Sequence, residues 1–352
     1  MSYTILPFQF ERTSNNDILL VNECGDFTFL PEKEFNLFIS HKLPEDSEYF
    51  YNLKSHLIVA QNEIETSIEK ISNRLRSRKS FLCEFSSLHM MVITLRCNQK
   101  CKYCQVSCAE EDAYKYDMSD DTARKIVDMI FQAPTMFPKI EFQGGEPTLN
   151  WNVITTTVEY AEKIAKKNKN VEFVICSNLT TITEEQLKYC KKHNICISTS
   201  LDGSRDIHNK CRVTKQENGT YDTFLEKLTL ARKYVGFDMV GALMTTSAYS
   251  LNRMKEVIDE YVKQGMDGIF IRSLNPYGFA AEDAENLSYS MDDFVDNYFD
   301  ALKYIFEINK KVYFPELFAK LLFSRILTPF STGFVDLQSP AGAGISGVIY
   351  DF

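Results

Sequence analysis

From about residue 88 onward, the sequence alternates short β-rich runs with amphipathic helical patterns, and this alternation constrains the fold more than any other feature. Strand–helix units that repeat so regularly predict a parallel sheet with helices packed outside it, because parallel strands need crossover connections and those are right-handed. A closed eight-stranded barrel would need two more units, but the part after Leu274 is mainly helical. We therefore predict an α/β fold, a partial (β/α)6 TIM-like barrel. The predicted strands are residues 89–95, 139–142, 171–175, 195–201, 238–245 and 268–274.

The first 80 residues show a different pattern. Two β-rich runs, 18–21 and 27–30, flank a Glu-Cys-Gly-Asp turn, which predicts a β-hairpin, and helical patterns follow. This predicts a small α+β N-terminal module. The expected parts of the chain are the N-terminal module at 1–80, the barrel at 85–310, and a region at 311–352 with a helical extension and the start of a truncated C-terminal domain.

Composition narrows the possible function classes. The net charge is −9 and the Lys and Arg residues are scattered, so the sequence has no long basic stripe that could follow a phosphate backbone. Nucleic acid is therefore not expected as a partner. The N-terminus lacks a basic patch before an apolar core, and no stretch approaches the ~18 apolar residues of a membrane span. We expect a cytoplasmic protein without a membrane partner. Because disulfides are rare in the cytoplasm, the ten cysteines are not expected to form a disulfide framework.

Three cysteines on the loop after the first predicted strand, Cys97, Cys101 and Cys104, form the strongest chemical signal. Thiolates are soft ligands that suit iron–sulfur clusters, and three of them on a four-iron cube leave one iron open for a cofactor or substrate. The alternative is a structural zinc site with Cys108 as fourth ligand, although the second Cys-x-x-Cys pair of such sites is missing from the sequence. The other six cysteines lack ligand spacing and are predicted to be packing residues.

Two further predicted strands end in residues that suit a small ligand. Gly144 and Gly145 let a ligand approach the main chain closely and leave backbone carbonyls free to accept from an ammonium group. At the end of the fourth strand, Ser200 could bind ribose hydroxyls and Arg212 could pair with a carboxylate. The plainer alternative is a simple turn at 202–203 with Arg212 in a surface ion pair. His208 lies in the same segment and has no role that the sequence assigns.

The Cys-x3-Cys-x2-Cys loop, with Tyr103 before its last cysteine, resembles the signature of the radical S-adenosylmethionine (SAM) superfamily. The resemblance implies a [4Fe–4S] cluster on the three loop cysteines, with SAM bound at the open iron. The turn at 142–147 resembles the family's Gly-Gly-Glu motif, and the segment 198–212 resembles its Ser-x-Asp-Gly…His-x3-Arg motif. Asn178 matches the asparagine of a Thr-Asn-Gly turn, from which both its neighbours depart. The SAM contacts implied in this way are Tyr103, Gln143, Gly144, Gly145, Glu146, Asn178, Ser200, Arg212 and Leu274.

The form of these motifs is similar to that of peptide-modifying radical SAM enzymes with a C-terminal SPASM auxiliary-cluster domain. The tail at 327–333 and 335–344 resembles that of the maturase of the His-Xaa-Ser peptide system, and the chain is also similar to anaerobic sulfatase-maturing enzymes. The resemblance implies reductive cleavage of SAM to a 5′-deoxyadenosyl radical, a precursor peptide or protein as substrate, and a low-potential electron donor as partner. Two alternatives stay open: a radical SAM enzyme that acts on a small molecule or RNA, and a non-catalytic metal-binding scaffold. The modified residue and the bond formed are not identified by the sequence.

Both ends of the chain carry further expectations. Ala341 stands where SPASM proteins have their first auxiliary cysteine, and no cysteine follows Cys211. Residues 347–352 read as a strand without a partner, so we expect a truncated chain. The N-terminal module loosely resembles small winged modules that bind a leader peptide as an added strand. Peptide recognition and a role as a stabilising cap carry equal weight for this module.

Overall fold

A computed structural model describes residues 3–62, 64–165, 169–338 and 342–352. The chain divides into two compact units, one of Met1–Cys83 with Leu322–Gly333 and one of Glu84–Leu321 with Phe334–Phe352. Ala341 lies outside the described residues. Within the described ranges, no helix combines the length and the apolar character that crossing a bilayer requires.

The first unit is an α+β arrangement around a small antiparallel sheet. Its elements are strands β1 Thr4–Ile5, β2 Phe8–Arg12, β3 Asp17–Asn22, β4 Phe27–Pro31 and β5 Val59–Ala60, and helices α1 Glu32–Ile39, α2 Glu48–Ser55 and α3 Ile64–Arg78. β3 pairs with both β2 and β4, and β1 pairs with β5. Ile18, Leu20 and Asn22 are buried because alternate side chains of β3 point to the same face. The predicted hairpin is confirmed by the pairing of Ile18 with Leu30.

A sheet of seven parallel strands forms the centre of the second unit. Its strands are β6 Leu88–Thr94, β7 Lys139–Gly144, β8 Glu172–Cys176, β9 Cys196–Ser200, β10 Val240–Thr245, β11 Ile271–Arg272 and β12 Gly347–Tyr350. From edge to edge the order is β11, β10, β9, β8, β7, β6, β12, and the sheet does not close. The predicted α/β class and the partial TIM-like barrel are therefore confirmed.

Amphipathic helices connect these strands. α4 begins after Ser119, whose side chain accepts the Thr122 N–H as expected of an N-cap. Its apolar stripe, which includes Ile126 and Ile130, is buried in the core of the unit. The helices of this unit are α4 Asp120–Gln132, α5 Trp151–Ala165, α6 Glu184–Lys192, α7 Arg205–Cys211, α8 Tyr221–Val235, α9 Ala248–Leu251, α10 Met254–Lys263, α11 Phe279–Glu282, α12 Ala284–Leu287 and α13 Met291–Asn309, followed by α14 Leu317–Leu327, whose last residues belong to the first unit.

One prediction is wrong: the strand near the end of the sequence does have a partner. β12 pairs in parallel with β6, with Gly347 opposite Leu88 and Tyr350 opposite Met91. It covers the edge of β6 that β7 leaves free, and Tyr350 Oη lies 3.0 Å from His89 Nδ1. Sequence periodicity reveals a strand but not its partner, which is distant in the sequence: Tyr350 and His89, which make the side-chain contact, are 261 positions apart.

Candidate active site

A cavity opens where strands β6 to β11 end. Because the carboxyl ends of parallel strands share one edge of a sheet, the loops that follow these strands meet there. Two predicted site residues, Glu146 and Leu274, are outside the cavity lining, and the Leu274 N–H donates to Tyr289 Oη at 2.7 Å. The predicted residues that line the cavity are Cys97, Cys101, Tyr103, Cys104, Gln143, Gly144, Gly145, Asn178, Ser200 and Arg212.

Main-chain hydrogen bonds hold the cysteine loop from two sides. The Cys97 N–H donates to Ala109 O at 3.2 Å, which closes the loop at its base. The Lys100 N–H donates to Val213 O at 2.8 Å, which joins the loop to the segment after α7. Main-chain bonds therefore anchor the loop at Cys97 and at Lys100.

Arg96, the residue before the first cysteine, anchors the start of the loop. Its side chain is buried, and Nε and Nη2 donate to the two carboxylate oxygens of Asp117 at 2.8 and 2.7 Å. Nη2 also donates to Leu149 O at 2.7 Å. A two-point guanidinium–carboxylate pair fixes orientation as well as distance. Sequence reasoning missed Arg96, although a cation at the end of an apolar strand is a usable signal.

The surroundings of the loop sulfurs fit an iron–sulfur cluster. The Gln99 N–H donates to Cys97 Sγ at 3.4 Å, and Asn178 Nδ2 donates to the same sulfur at 3.9 Å. A hydrogen bond with Cys108 lowers the pKa of Cys104, whereas burial raises the pKa of Cys101 to about 12. All the cysteines are free thiols, so three soft ligands are available. Within the described part of the chain, no group of three or more His, Cys, Asp or Glu side chains is arranged to hold a single metal ion.

Gly144 and Gly145 are required by main-chain packing at the end of β7. Gly144 has a φ of +139°, which side-chain-bearing residues avoid, and a Cβ there would overlap Thr94 O. A Cβ on Gly145 would overlap Leu95 O and Arg96 O. Both glycines also line the cavity. A side chain at Gly145 would therefore displace the segment that leads into the cysteine loop, and not only a ligand.

The carboxylate of Glu146 is completely buried and is engaged by protein donors. Its Oε1 accepts from the Thr148 N–H at 3.1 Å, the Thr148 hydroxyl at 2.7 Å and the Ser177 hydroxyl at 2.8 Å. Its Oε2 accepts from the Asn178 N–H at 2.7 Å. Burial raises the pKa of Glu146, whereas these hydrogen bonds oppose the rise. Glu146 thus ties the turn after β7 to the turn after β8.

Asn178 connects the turn after β8 with the cysteine loop. Its Nδ2 donates to Asn98 Oδ1 at 2.8 Å, and its Oδ1 accepts from the Thr180 N–H at 2.9 Å. Leu179 stands where the family pattern has glycine, and it has a φ of +65° with a fully buried side chain. Glycine adopts this left-handed conformation without strain, so the backbone at Leu179 has a conformation that the glycine of the pattern could also take.

A hydrogen-bonded chain links the cysteine loop to the end of β9. Arg212 Nη1 donates to Tyr103 Oη at 2.7 Å, and Tyr103 Oη donates to Asp202 Oδ2 at 2.6 Å. Burial raises the pKa of Asp202, and the Arg212 guanidinium opposes the rise. Arg212 is buried in the cavity wall, so the alternative of a surface ion pair is wrong. Asp202 belongs to the predicted Ser-x-Asp-Gly…His-x3-Arg segment, and its carboxylate holds Tyr103 behind the cavity lining.

His208 supports this chain from the core side. The Asp202 N–H donates to His208 Nδ1 at 3.5 Å, and His208 Nε2 lies 3.3 Å from Thr220 Oγ1. Because the Thr220 hydroxyl donates to Arg212 O, His208 donates through Nε2 and is the neutral tautomer. Burial lowers the pKa of His208 to about 3, with the Arg212 charge as the second cause.

Residues on the inner face of the sheet complete the cavity. Glu141 and Ser198 line it, each two positions before a predicted site residue on the same strand. This alternation is the signal that would have found them. Cys176 also lines the cavity and its Sγ donates to Glu141 Oε1 at 3.1 Å, so the predicted packing role of Cys176 is wrong. Cys83 is exposed, which also contradicts a packing role.

An open parallel barrel whose first strand leads into a three-cysteine loop is the architecture of a radical SAM domain. Residues 91–260 match the family model of the Radical SAM superfamily. The chain therefore contains a radical SAM domain, and the predicted resemblance is confirmed. This superfamily consists of enzymes that use a [4Fe–4S] cluster and SAM.

Two curated relatives illustrate the branch of the superfamily. The chain is 29% identical over 154 residues to the cysteine-type anaerobic sulfatase-maturating enzyme of Clostridium novyi, which covers 42% of this chain and 41% of the relative. It is 23% identical over 303 residues to the radical SAM cyclopropyl synthase TigE of Paramaledivibacter caminithermalis, which covers 81% of this chain and 59% of the relative. The chain thus spans about half the length of these relatives. The predicted similarity to sulfatase-maturing enzymes is confirmed.

Two solved structures share the fold. Native anSMEcpe with bound AdoMet and Cp18Cys peptide gives a TM-score of 0.59 at 21% identity, over 68% of this chain and 66% of that chain. Streptococcus suis SuiB bound to the precursor peptide SuiA gives a TM-score of 0.51 at 14% identity, over 89% of this chain and 72% of that chain. The SuiB match is longer than the second unit, so it extends into the first unit.

Proposed function

We propose that this protein is a radical SAM enzyme that binds a [4Fe–4S] cluster through Cys97, Cys101 and Cys104 and cleaves SAM reductively beside it. One observation carries the proposal: the cysteine loop, the glycine turn after β7, Ser200 and Arg212 line the same cavity. These motifs are far apart in the sequence and follow different strands. Their meeting at one sheet edge is what the reaction needs, because the cluster and SAM must be in contact.

The chain itself binds and orients the reactants. When bound, the cluster and SAM together supply a 5′-deoxyadenosyl radical that abstracts a hydrogen atom from the substrate. The backbone at Gly144 and Gly145 suits the SAM ammonium group, the Ser200 hydroxyl suits the ribose, and the Arg212 guanidinium suits a carboxylate. The bonds from Arg212 to Tyr103 and from Tyr103 to Asp202 would hold that guanidinium in place.

Anaerobic reconstitution with iron and sulfide tests the cluster assignment. The wild-type chain should bind about four irons and release 5′-deoxyadenosine from SAM under reducing conditions. Replacing any one of the three loop cysteines by Ala should abolish both. Cys108→Ala should leave both intact, and Cys83→Ala removes an exposed free thiol outside the loop and is the matched control. Equal loss of iron in Cys108→Ala would indicate a four-thiolate site, and full iron binding by a loop variant would refute the proposal.

We further propose that the substrate is a peptide or protein and that the first unit binds part of it as an added strand. The SuiB structure with precursor peptide and the anSMEcpe structure with Cp18Cys peptide support this class of substrate. In the antiparallel pairs β2–β3 and β3–β4, hydrogen-bonded residue pairs alternate with pairs that are not hydrogen-bonded. The bonds from Thr13 N–H to Asp17 O and from Asn22 N–H to Asp26 O show which pairs are the bonded ones. By that alternation, the edge strands β2 and β4 direct alternate N–H groups away from β3. Such unpaired groups can bind an extended chain.

Proline substitutions on the two edges test this recognition role. Phe10 on β2 and Phe29 on β4 are exposed and have outward N–H groups, so proline there removes an edge donor without removing a ladder bond. Binding of candidate precursor peptides by fluorescence polarisation should fall in one variant and persist in the other, which identifies the edge used. Phe10→Ala and Phe29→Ala control for loss of the ring. Undiminished binding in both proline variants, with unchanged melting temperature, would refute recognition and favour the cap role.

A further inference from the structure

One charged group of the cavity is not explained by any contact described so far. The lining includes two guanidinium groups, on Arg212 and Arg272, and one carboxylate, on Glu141. Arg212 donates to Tyr103, and Glu141 accepts from Cys176. Over the ranges that the structure describes, the exposed guanidinium of Arg272 has neither a side-chain hydrogen bond nor an ion pair.

Strand register directs Arg272 into the cavity. Arg272 on β11 pairs with Thr245 on β10, and Leu243, two positions earlier on β10, pairs with Ser200 on β9. Paired residues of neighbouring strands project to the same face, as do residues two apart on one strand. All four residues line the cavity. Arg272 therefore continues, at the edge strand, the inner face on which Ser200 lies.

The local charge suits an anion. Glu141, the carboxylate of the lining, lies on β7, and β8, β9 and β10 separate β7 from the strand of Arg272. Ser273, the next residue, also lines the cavity and carries a hydroxyl donor. A guanidinium presents two parallel N–H donors that match a carboxylate, and an unpaired cation in a concave site strengthens that attraction.

We propose that Arg272 binds a carboxylate of the substrate, such as an acidic side chain next to the residue that is modified. The inference rests on the proposed function and gives its substrate class a chemical requirement: an acidic group near the reacting position. Ser200 lies on β9, which β10 separates from β11, and Arg212 is bonded to Tyr103 of the cysteine loop. These two are the groups assigned to SAM, so Arg272 is available to a second molecule in the same cavity. Arg272 is a specificity-determining residue in this scheme.

Titration calorimetry with two matched probes tests the assignment on the reconstituted full chain. The probes are acetyl-Gly-Asp-Ser-Gly-amide and acetyl-Gly-Asn-Ser-Gly-amide, measured with saturating SAM and without it. A charge-assisted pair predicts that the wild-type chain binds the Asp peptide about tenfold more tightly than the Asn peptide. In Arg272→Gln the two peptides should bind with about equal affinity. Arg124→Gln removes an exposed arginine on α4 and should keep the preference.

Each other outcome overturns the assignment. An Asp preference that disappears when SAM is added would show that the SAM carboxylate occupies Arg272. An equal preference in Arg272→Gln and wild type, or none in wild type, would show that Arg272 does not select a carboxylate. Iron content and SAM cleavage, measured separately on the same preparations, report on the proposed function. Failure of the enzyme assignment is therefore distinguishable from failure of the carboxylate assignment.

Discussion

Replacing Glu146 by Gln tests whether this motif residue acts by positioning the turn that carries Asn178. The amide oxygen of Gln can take the place of Oε1, which accepts from Thr148 and Ser177. The amide NH2 then takes the place of Oε2, which accepts the Asn178 N–H at 2.7 Å. Two donors would face each other in a buried site, so the turn after β8 must shift.

The expected magnitude follows from the hydrogen bonds lost. A bond to a carboxylate contributes about 1.5–3 kcal/mol, and a buried donor without a partner costs about 1–3 kcal/mol. Removing the buried charge offsets part of this, because burial disfavours the carboxylate. We expect Glu146→Gln to lower the free energy of unfolding by about 2–4 kcal/mol. Glu146→Ala leaves all the donors unpaired and should cost more, about 4 kcal/mol or above.

Urea unfolding followed by tryptophan fluorescence measures this effect near its source. Trp151 is the single tryptophan and begins α5, directly after the turn that Glu146 caps. SAM affinity should fall in parallel, because the displaced Asn178 lines the cavity. Glu185→Gln changes an exposed carboxylate and should stay within about 0.5 kcal/mol of wild type. If Glu146→Gln matched this control in both stability and SAM affinity, the positioning role would be refuted.

Two further predictions concern the neighbouring contacts. Gly145→Ala should lower iron binding as well as SAM affinity, because its Cβ would overlap Leu95 O and Arg96 O; full iron binding in this variant would contradict that. The folded-state pKa of His208, about 3, lies below the unfolded value of about 6.5, so neutral His208 stabilises the fold fully above that value and progressively less as the pH falls. The stability difference between wild type and His208→Gln should shrink by about 1 kcal/mol from about pH 6.5 to about pH 5.5, and a constant difference would count against a depressed pKa.

The fold was predictable because hydrophobic periodicity is local. Each predicted strand of the barrel is present, but the sixth is much shorter than the β-rich run 268–274 indicated, since β11 contains only Ile271 and Arg272. Ile269 pairs instead with Glu316 in an isolated bridge, and its N–H donates to Pro315 O at 3.0 Å. A β-rich run shows that a segment favours an extended backbone. Its strand bounds depend on which neighbour supplies the hydrogen bonds, and that neighbour can be distant in the sequence.

The candidate site, like the fold, was predictable only in part. Its motifs can be found in the sequence because each one is continuous, but the bonds that shape it join different turns: Glu146 to Asn178, 32 positions apart, and Tyr103 to Asp202, 99 positions apart. A motif comparison shows which residues belong to a site, but it does not show which protein groups those residues bond to. Leu179 shows the converse, since the residue departs from the pattern while its φ of +65° is one that glycine adopts without strain. The geometry of the site therefore depends on links between strand ends, so a substitution outside the cavity lining, such as Glu146→Gln, should still alter ligand binding.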